Sequence, residues 1–513
     1  MQAILRLGQR IAIVLALLIL GVIPAAAQDF SPQDPHAGGS SKLLFLPAVA
    51  SDPQPAAAAG VGQKGPSPSD NFERFQQVLD KANFAWEKGS FAYIDLVKET
   101  CLGNAPNTLA NNPWPNAYVV LQLPERPNQP DFPFPFPFQL GEDEAVIMIG
   151  QTPPPSMFFN YQTFVGFLPG SKQFMMVPYG DSINIGTIRV NGPDLYNRPF
   201  VIIITGSRAM EQHMRSALLA AGYPASIINV EALSPIIGPL GYGEKGSVLM
   251  MGHRVAGVET EQVLRKYITE TVSKFGIYRV TPKFALAADP EPVPLLRVRG
   301  TGRTEMELYP ALKRLRAAIV KEYAGIQAQE LDSHIWTFDS PPIVAEKPYV
   351  GLQRQVAVFG ATRDTNYIGT YPNFVLNDKD DFVIAYGVNH QKTGKVTYSS
   401  VSVYADKLRW MGVATMLSRS FGDSASHYLP PGDPDADMLY AIKVTRDCKG
   451  EDHCLEVKYT FEDIDGNQYT CTPPLDLDTA EMFFLFRSYM EPGTKVSPDD
   501  NELLYDRAIF FGQ

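Results

Sequence analysis

The densest grouping of side chains able to do chemistry lies in two polar stretches, residues 363–367 and residues 389–395. Strand-like residues lie between the two stretches. If the strand after the first stretch pairs with the strand before the second, the two stretches lie close together. Cationic, imidazole, amide and hydroxyl groups together suit a polar or anionic ligand. The sequence therefore predicts a ligand-binding site made of Arg363, Asp364, Asn366, Tyr367, Asn389, His390 and Lys395.

The same residue types have a structural alternative. Buried polar side chains are usually hydrogen-bonded to one another, so these residues could form a network between strands without binding anything. Within the predicted site, arginine and lysine are cations, and we take the histidine to be neutral. His253 and Arg254, at the end of an apolar strand, are a second candidate site.

A Gly-Asp-Ser triplet ends at Ser182. It resembles the nucleophile block of the SGNH (GDS) hydrolases, and over these few residues the resemblance implies that Ser182 attacks an ester. That family also has an aspartate three residues before its catalytic histidine. Here Ser424 stands at that position before His427, and Gly387 before His390. A serine without an oriented base is a weak nucleophile, so we predict that Ser182 is not one.

Metal and nucleotide sites are poorly supported. Acidic turns recur, but the run from Asp433 has Met438 where an EF-hand loop needs glycine and Val444 where it needs glutamate. Residues 241–246 match G-x-G-x-x-G by letters, yet a strand follows where a dinucleotide site needs a helix. We therefore predict no cofactor, with weak calcium binding as the remaining alternative.

The chain has four cysteines, which allow three disulfide pairings. Cys448 and Cys454 flank a short polar stretch between two strand-like runs, which predicts a hairpin closed by a disulfide. Cys101 and Cys471 are then left to pair with each other. No C-x-x-C occurs and the one nearby histidine is His453, so disulfides are favoured over zinc.

The N-terminus has the three parts of a secretory signal: a positive start, an apolar middle and small residues at a cleavage site. Arg6 and Arg10 precede the apolar residues 11–23, and an alanine run ends at Ala27. The apolar stretch is shorter than the ~18 residues that span a bilayer. We predict cleavage after Ala27, a mature N-terminus at Gln28, and a secreted or otherwise extracytoplasmic location.

The formal net charge is -11, and it becomes -13 when Arg6 and Arg10 are removed with the signal. An acidic surface repels phosphate backbones, so nucleic acid is excluded as an expected partner. No later stretch is long and apolar enough to predict a membrane span in the mature chain. A chain of this length exceeds one ordinary core, which predicts several domains.

Periodicity predicts an α+β protein. The central βαββαβ order suits a split-βαβ, ferredoxin-like module, with two tandem parallel crossovers as the alternative. A mainly antiparallel, β-rich C-terminal domain follows it. The predicted divisions are a signal peptide (1–27), a disordered Pro/Ala/Gly/Ser linker (28–69), an N-terminal helix with a β-rich region (70–199), the βαββαβ module (200–283), a linker with a helix (284–342) and the C-terminal domain (343–513).

These features favour an exported soluble protein that binds a polar ligand or an envelope component without turnover. An extracytoplasmic hydrolase is one alternative, because catalytic residues need not be adjacent in sequence. A structural surface module is the other.

Overall fold

The structure is a computed structural model, and it describes residues 68–103, 116–126, 136–335, 348–358, 360–405, 410–458, 460–471, 476 and 478–512. The predicted signal peptide and nearly all of the predicted linker lie outside the described residues. Everything described belongs to one unit that begins at Gly65. Over these ranges, no helix has the length and apolar character needed to cross a membrane.

Six α-helices are described, and local capping explains where several begin. The Ser207 hydroxyl accepts a hydrogen bond from the Met210 amide at 3.2 Å, as predicted for a helix starting there. The Thr260 hydroxyl caps another helix through the Val263 amide. The helices are α1 (Pro68–Lys81), α2 (Leu96–Cys101), α3 (Arg208–Ala220), α4 (Glu261–Lys266, continued by π and 3-10 turns through Lys274), α5 (Tyr309–Glu322) and α6 (Pro348–Arg354).

Strands make up most of the regular structure. In the N-terminal half they are β1 (Phe84–Lys88), β2 (Ser90–Ile94), β3 (Ala117–Gln122), β4 (Ala145–Gln151), β5 (Phe158–Phe167), β6 (Val177–Pro178), β7 (Ile183–Asn184), β8 (Pro199–Thr205), β9 (Ile228–Ala232), β10 (Val248–Ala256) and β11 (Gly276–Pro282). In the C-terminal half they are β12 (Ala328–Ile335), β13 (Thr365–Tyr371), β14 (Phe382–Val388), β15 (Tyr398–Ala405), β16 (Met411–Leu417), β17 (Leu439–Thr445), β18 (Cys454–Glu456), β19 (Phe461–Glu462), β20 (Gln468–Tyr469), β21 (Met482–Tyr489) and β22 (Arg507–Phe511).

The N-terminal strands form two sheets. The first sheet has the order β1-β11-β4-β8-β9, and the second has the order β2-β3-β10-β5-β6, with β7 also paired to β5. All of these pairs are antiparallel except β8 with β9, which the α3 crossover makes parallel. Apolar side chains such as Met148 and Ile202 of the first sheet and Phe159 and Val255 of the second share one core.

The predicted ferredoxin-like module is not confirmed, because its four strands divide between two sheets. Strands β8, β9 and β11 belong to the first sheet, whereas β10 lies in the second between β3 and β5. Eight of the nine residues of β10 are buried, so its hydrophobic pattern carries no information about which strands it joins. Its partners come from residues far earlier in the chain.

The C-terminal strands form a nine-stranded sheet of order β16-β15-β21-β13-β12-β22-β14-β17-β18, which curls into a nearly closed barrel. Its edge strands β16 and β18 approach each other without pairing, and we call this gap the seam. Side chains such as Val403 and Phe484 fill the barrel interior. A mainly antiparallel C-terminal sheet is thus confirmed, although it also includes β12. The prediction of a strand over residues 355–358 is wrong, because these residues form no strand.

Both predicted disulfides are within bonding distance. The sulfur–sulfur distance is 2.15 Å for Cys101–Cys471 and 2.05 Å for Cys448–Cys454. The first ties α2 to the barrel across 370 residues of sequence. The predicted hairpin at the second is wrong, because β17 and β18 pair in parallel. Positive φ values at Lys449, Gly450 and His453 let the short connection turn back on itself before β18 begins.

Candidate functional site

The predicted site residues lie in buried polar networks. Asp364 is fully buried, and its carboxylate accepts hydrogen bonds from Asn160 at 2.6 Å, Ser182 at 2.6 Å and Asn184 at 2.7 Å. These three donors come from the second sheet and the loop beside it. A buried carboxylate with three neutral donors is well solvated by the protein, and here it joins the second sheet to the barrel.

Its neighbours make similar connections. Arg363 forms an ion pair with Asp181 at 2.8 Å. Asn366 donates to Asp500 and to the main-chain oxygen of Pro498. Tyr367 accepts a hydrogen bond from the Thr362 amide. All four predicted residues of this first loop therefore have partners within the chain.

His390, in the second loop, is held between two carboxylates. Its Nδ1 lies 2.8 Å from Glu305, and its Nε2 lies 3.4 Å from Asp506. Burial lowers the pKa of His390, but the two carboxylates outweigh burial and raise that pKa to about 10. The histidine is therefore a cation at neutral pH, which corrects the prediction that it is neutral. The same contact lowers the pKa of Glu305 against the opposing effect of its burial.

Lys395 is also fully enclosed. Its ammonium group donates to Glu491 at 2.8 Å, to Glu502 and to the main-chain oxygen of Arg303 at 2.7 Å. The side chain of Asn389 accepts from the Lys392 amide within the same loop. The two loops thus enter separate clusters, linked through the segment that carries Glu491. This is the arrangement expected of a network between strands, and ligand binding by these seven residues stays a prediction.

Both Gly-Asp-Ser serines donate hydrogen bonds to oxygen atoms of the chain. Ser182 is buried and its hydroxyl donates to Asp364, and no histidine in the described part of the chain bonds to it. The second Gly-Asp-Ser serine, Ser424, donates to the Phe421 carbonyl at 2.6 Å. His253 is stacked on Tyr161 with 4.2 Å between ring centroids, and burial lowers its pKa to about 3. None of these groups is arranged as a nucleophile with a general base.

The acidic turns that the structure describes make contacts within the chain. The described residues contain no group of three or more histidine, cysteine, aspartate or glutamate side chains placed to hold a metal ion. Asp433 and Asp435 instead pair with Arg314. Asp463 accepts from the amides of Asp465 and Asn467 within its own turn.

A cleft of about 840 Å³ opens at the seam of the barrel. Residues of β16 and β18 form two of its walls, and residues 93–97, from the end of β2 into α2, form another. We call it the seam cleft. Its ring side chains are Tyr93, Tyr118, Phe461 and Tyr469. Its charged side chains are Asp95, Glu261, Glu456, Glu462, Arg446 and Lys458.

The lining of the seam cleft mixes aromatic faces with hydrogen-bonding groups. Burial raises the pKa of Asp95 and also that of Tyr93, so both side chains are disfavoured as anions at this wall. None of the seven predicted site residues lines this cleft. Sequence reasoning missed it because its walls come from segments more than 300 residues apart, and only the Cys101–Cys471 pairing hinted that they meet.

Comparisons with known proteins show no family. No family model matches this chain, and no curated protein matches it. Among solved structures, it is similar to the VPA0106 protein from Vibrio parahaemolyticus, with 9% identity, a TM-score of 0.38, and coverage of 86% of this chain and 96% of that one. It is also similar to an uncharacterised protein from Burkholderia cenocepacia, with 10% identity, a TM-score of 0.35, and coverage of 86% and 87%.

Proposed function

We propose that this protein is exported and binds a polar ligand or envelope component in the seam cleft, without turning it over. The observation that carries the proposal is the cleft itself: about 840 Å³, lined by tyrosines and by charges of both signs. Clefts of this volume and mixed lining are typical of small-molecule sites. Aromatic faces can stack on a ligand while carboxylates and amides fix its orientation.

Two disulfides support the placement outside the cytoplasm, because such bonds persist in oxidising compartments. Both lie at the cleft. Cys448 and Cys454 are part of its lining, and Cys101 ends the helix whose first residues cover it. The disulfides therefore hold two walls of the cleft in place, as a preformed binding site requires.

The proposal is tested with the full mature chain and a panel of neutral oligosaccharides, amino acids and sugar phosphates, with binding measured by calorimetry. Tyr469→Ala removes a cleft ring, and we expect it to weaken binding of the active compound at least tenfold. Phe284→Ala, which removes an exposed ring outside the cleft, is the matched control and should bind normally. Binding that Tyr469→Ala leaves unchanged in a folded protein would contradict the proposed site.

An extracytoplasmic hydrolase is the second candidate, because catalytic residues need not be adjacent in sequence. Ser182 is the serine whose involvement can be tested directly. Product release from an ester panel, lost on Ser182→Ala, would favour that candidate over binding alone.

A further inference from the structure

Two arginines lie between the second sheet and the outer face of the barrel. Arg254 stands on β10 and Arg487 on β21, and both are buried. The Arg254 guanidinium lies 5.4 Å from the ring centroid of Tyr118. The Arg487 guanidinium lies 5.6 Å from the ring centroid of Tyr367 and 5.3 Å from that of Tyr404. With Tyr489, which interacts electrostatically with both arginines, these residues form the interlayer cluster.

The charge of Arg254 is not balanced by a carboxylate. Across the described ranges, its side chain forms no ion pair; it is hydrogen-bonded to the neutral Tyr367 phenol, and its Nε has no hydrogen-bond partner. Asn160 lies opposite Arg254 in the β5–β10 register, and its side chain donates to Asp364. The Asp364 carboxylate, however, accepts from neutral donors and forms no ion pair with Arg254.

A guanidinium stays charged and phenols stay neutral at physiological pH. Removing such a cation from water is costly, and a cation–π contact recovers only part of that cost. A buried cation in this state contributes little to stability by itself, because an apolar side chain of similar size often stabilises a fold as well or better. An anion supplied from outside would balance it.

The interlayer cluster borders the seam cleft. Tyr118 belongs to both, since it lines the cleft and its ring contacts Arg254. Thr415 also lines the cleft, and its hydroxyl lies 2.9 Å from that of Ser402 on β15, the strand that carries Tyr404. Tyr404 in turn accepts a hydrogen bond from Arg487 at 2.6 Å.

We propose that the interlayer cluster is an oxyanion site, which takes the carboxylate or phosphate group of a ligand. The inference rests on the proposed function for the route of entry, which is the seam cleft. The Arg254 guanidinium carries an unpartnered Nε donor, and a guanidinium fork matches the paired oxygens of either group; Arg487 adds a second positive charge. Tyrosine hydroxyls around them can supply further donors. The ligand class is therefore a small organic acid or phosphate ester.

The test measures the melting temperature of the full mature chain in inorganic phosphate or in acetate, against chloride at equal ionic strength. The wild-type melting temperature should rise by about 2 °C once the concentration of the free anion reaches roughly ten times its Kd. The anion that produces the rise distinguishes phosphate from carboxylate recognition. Arg254→Met should melt at the same or a higher temperature in chloride and should lose the response. Arg316→Met, at an exposed arginine paired with Glu330, is the matched control and should keep it.

Arg254→Lys covers the case in which the methionine variant does not fold. It keeps the charge but loses the fork, and it should bind the effective anion at least tenfold more weakly. An unchanged response in either folded Arg254 variant, or no response of the wild type to phosphate or acetate, would overturn the oxyanion site. A response lost in Tyr469→Ala but kept in Arg254→Met would place the anion in the seam cleft alone. That outcome rejects the interlayer cluster and leaves the proposed function standing.

Discussion

Replacing His390 by glutamine should destabilise this protein strongly at neutral pH and only weakly near pH 10. In the folded chain His390 is a buried cation between Glu305 and Asp506, and its pKa is raised from 6.5 to about 10. Proton binding to the folded state therefore exceeds proton binding to the unfolded state between these two pH values. Stability from this group is complete below pH 6.5 and is lost as the pH rises towards 10.

The size of the effect follows from the same pKa values. A rise from 6.5 to about 10 corresponds to roughly 5 kcal/mol of unfolding free energy. At pH 7 the glutamine variant also leaves two buried carboxylates without a cation, a change that typically costs about 3–5 kcal/mol. The difference between wild type and variant should therefore be several kcal/mol at pH 7 and should shrink by most of that amount at pH 10.

Urea denaturation of both proteins at several pH values between 6.5 and 10 measures this difference. His427→Gln, which changes an exposed histidine in edge-to-face contact with Tyr428, is the matched control and should follow the wild type throughout. A His390→Gln deficit that stays constant across this pH range would refute the reasoning, because it would mean that His390 does not titrate between the two carboxylates.

Three further predictions concern other parts of the chain. Burial raises the pKa of Glu231 to about 7, so ionisation of this group lowers the stability of the folded protein as the pH rises from 4.5 to 7. Glu231→Gln should therefore stabilise the protein at pH 8 by up to roughly 3 kcal/mol and have little effect at pH 4. Urea denaturation at both pH values measures the difference. Ser182 should not react with a fluorophosphonate probe, and labelling that Ser182→Ala abolishes would contradict this. Intact-mass analysis of the exported protein should give Gln28 as the first residue, and a mass that retains residues 1–27 would exclude cleavage there.

Local chemistry made many elements predictable. The Ser207 cap and the spacing of Met210, Met214 and Leu218 predicted α3, because a hydroxyl cap and a 3.6-residue repeat depend only on neighbouring residues. The cysteine spacing likewise left few pairings, and both bonded pairs agree with the prediction. The polar stretches around Asp364 and His390 were expected to meet, but they enter separate clusters, and ligand binding by them stays a prediction.

The sequence by itself thus determined many of the elements, the cysteine pairs and the α+β class, since each depends on local spacing or on elimination among a few choices. Only the tertiary structure decided which sheet β10 joins, that β17 and β18 run parallel, and that His390 carries a charge. The seam cleft and the interlayer cluster belong to this second group. Each needs residues such as Tyr118 and Arg487 that lie hundreds of positions apart, and long-range pairing of buried strands leaves no periodic signal by which a single sequence could reveal its partners.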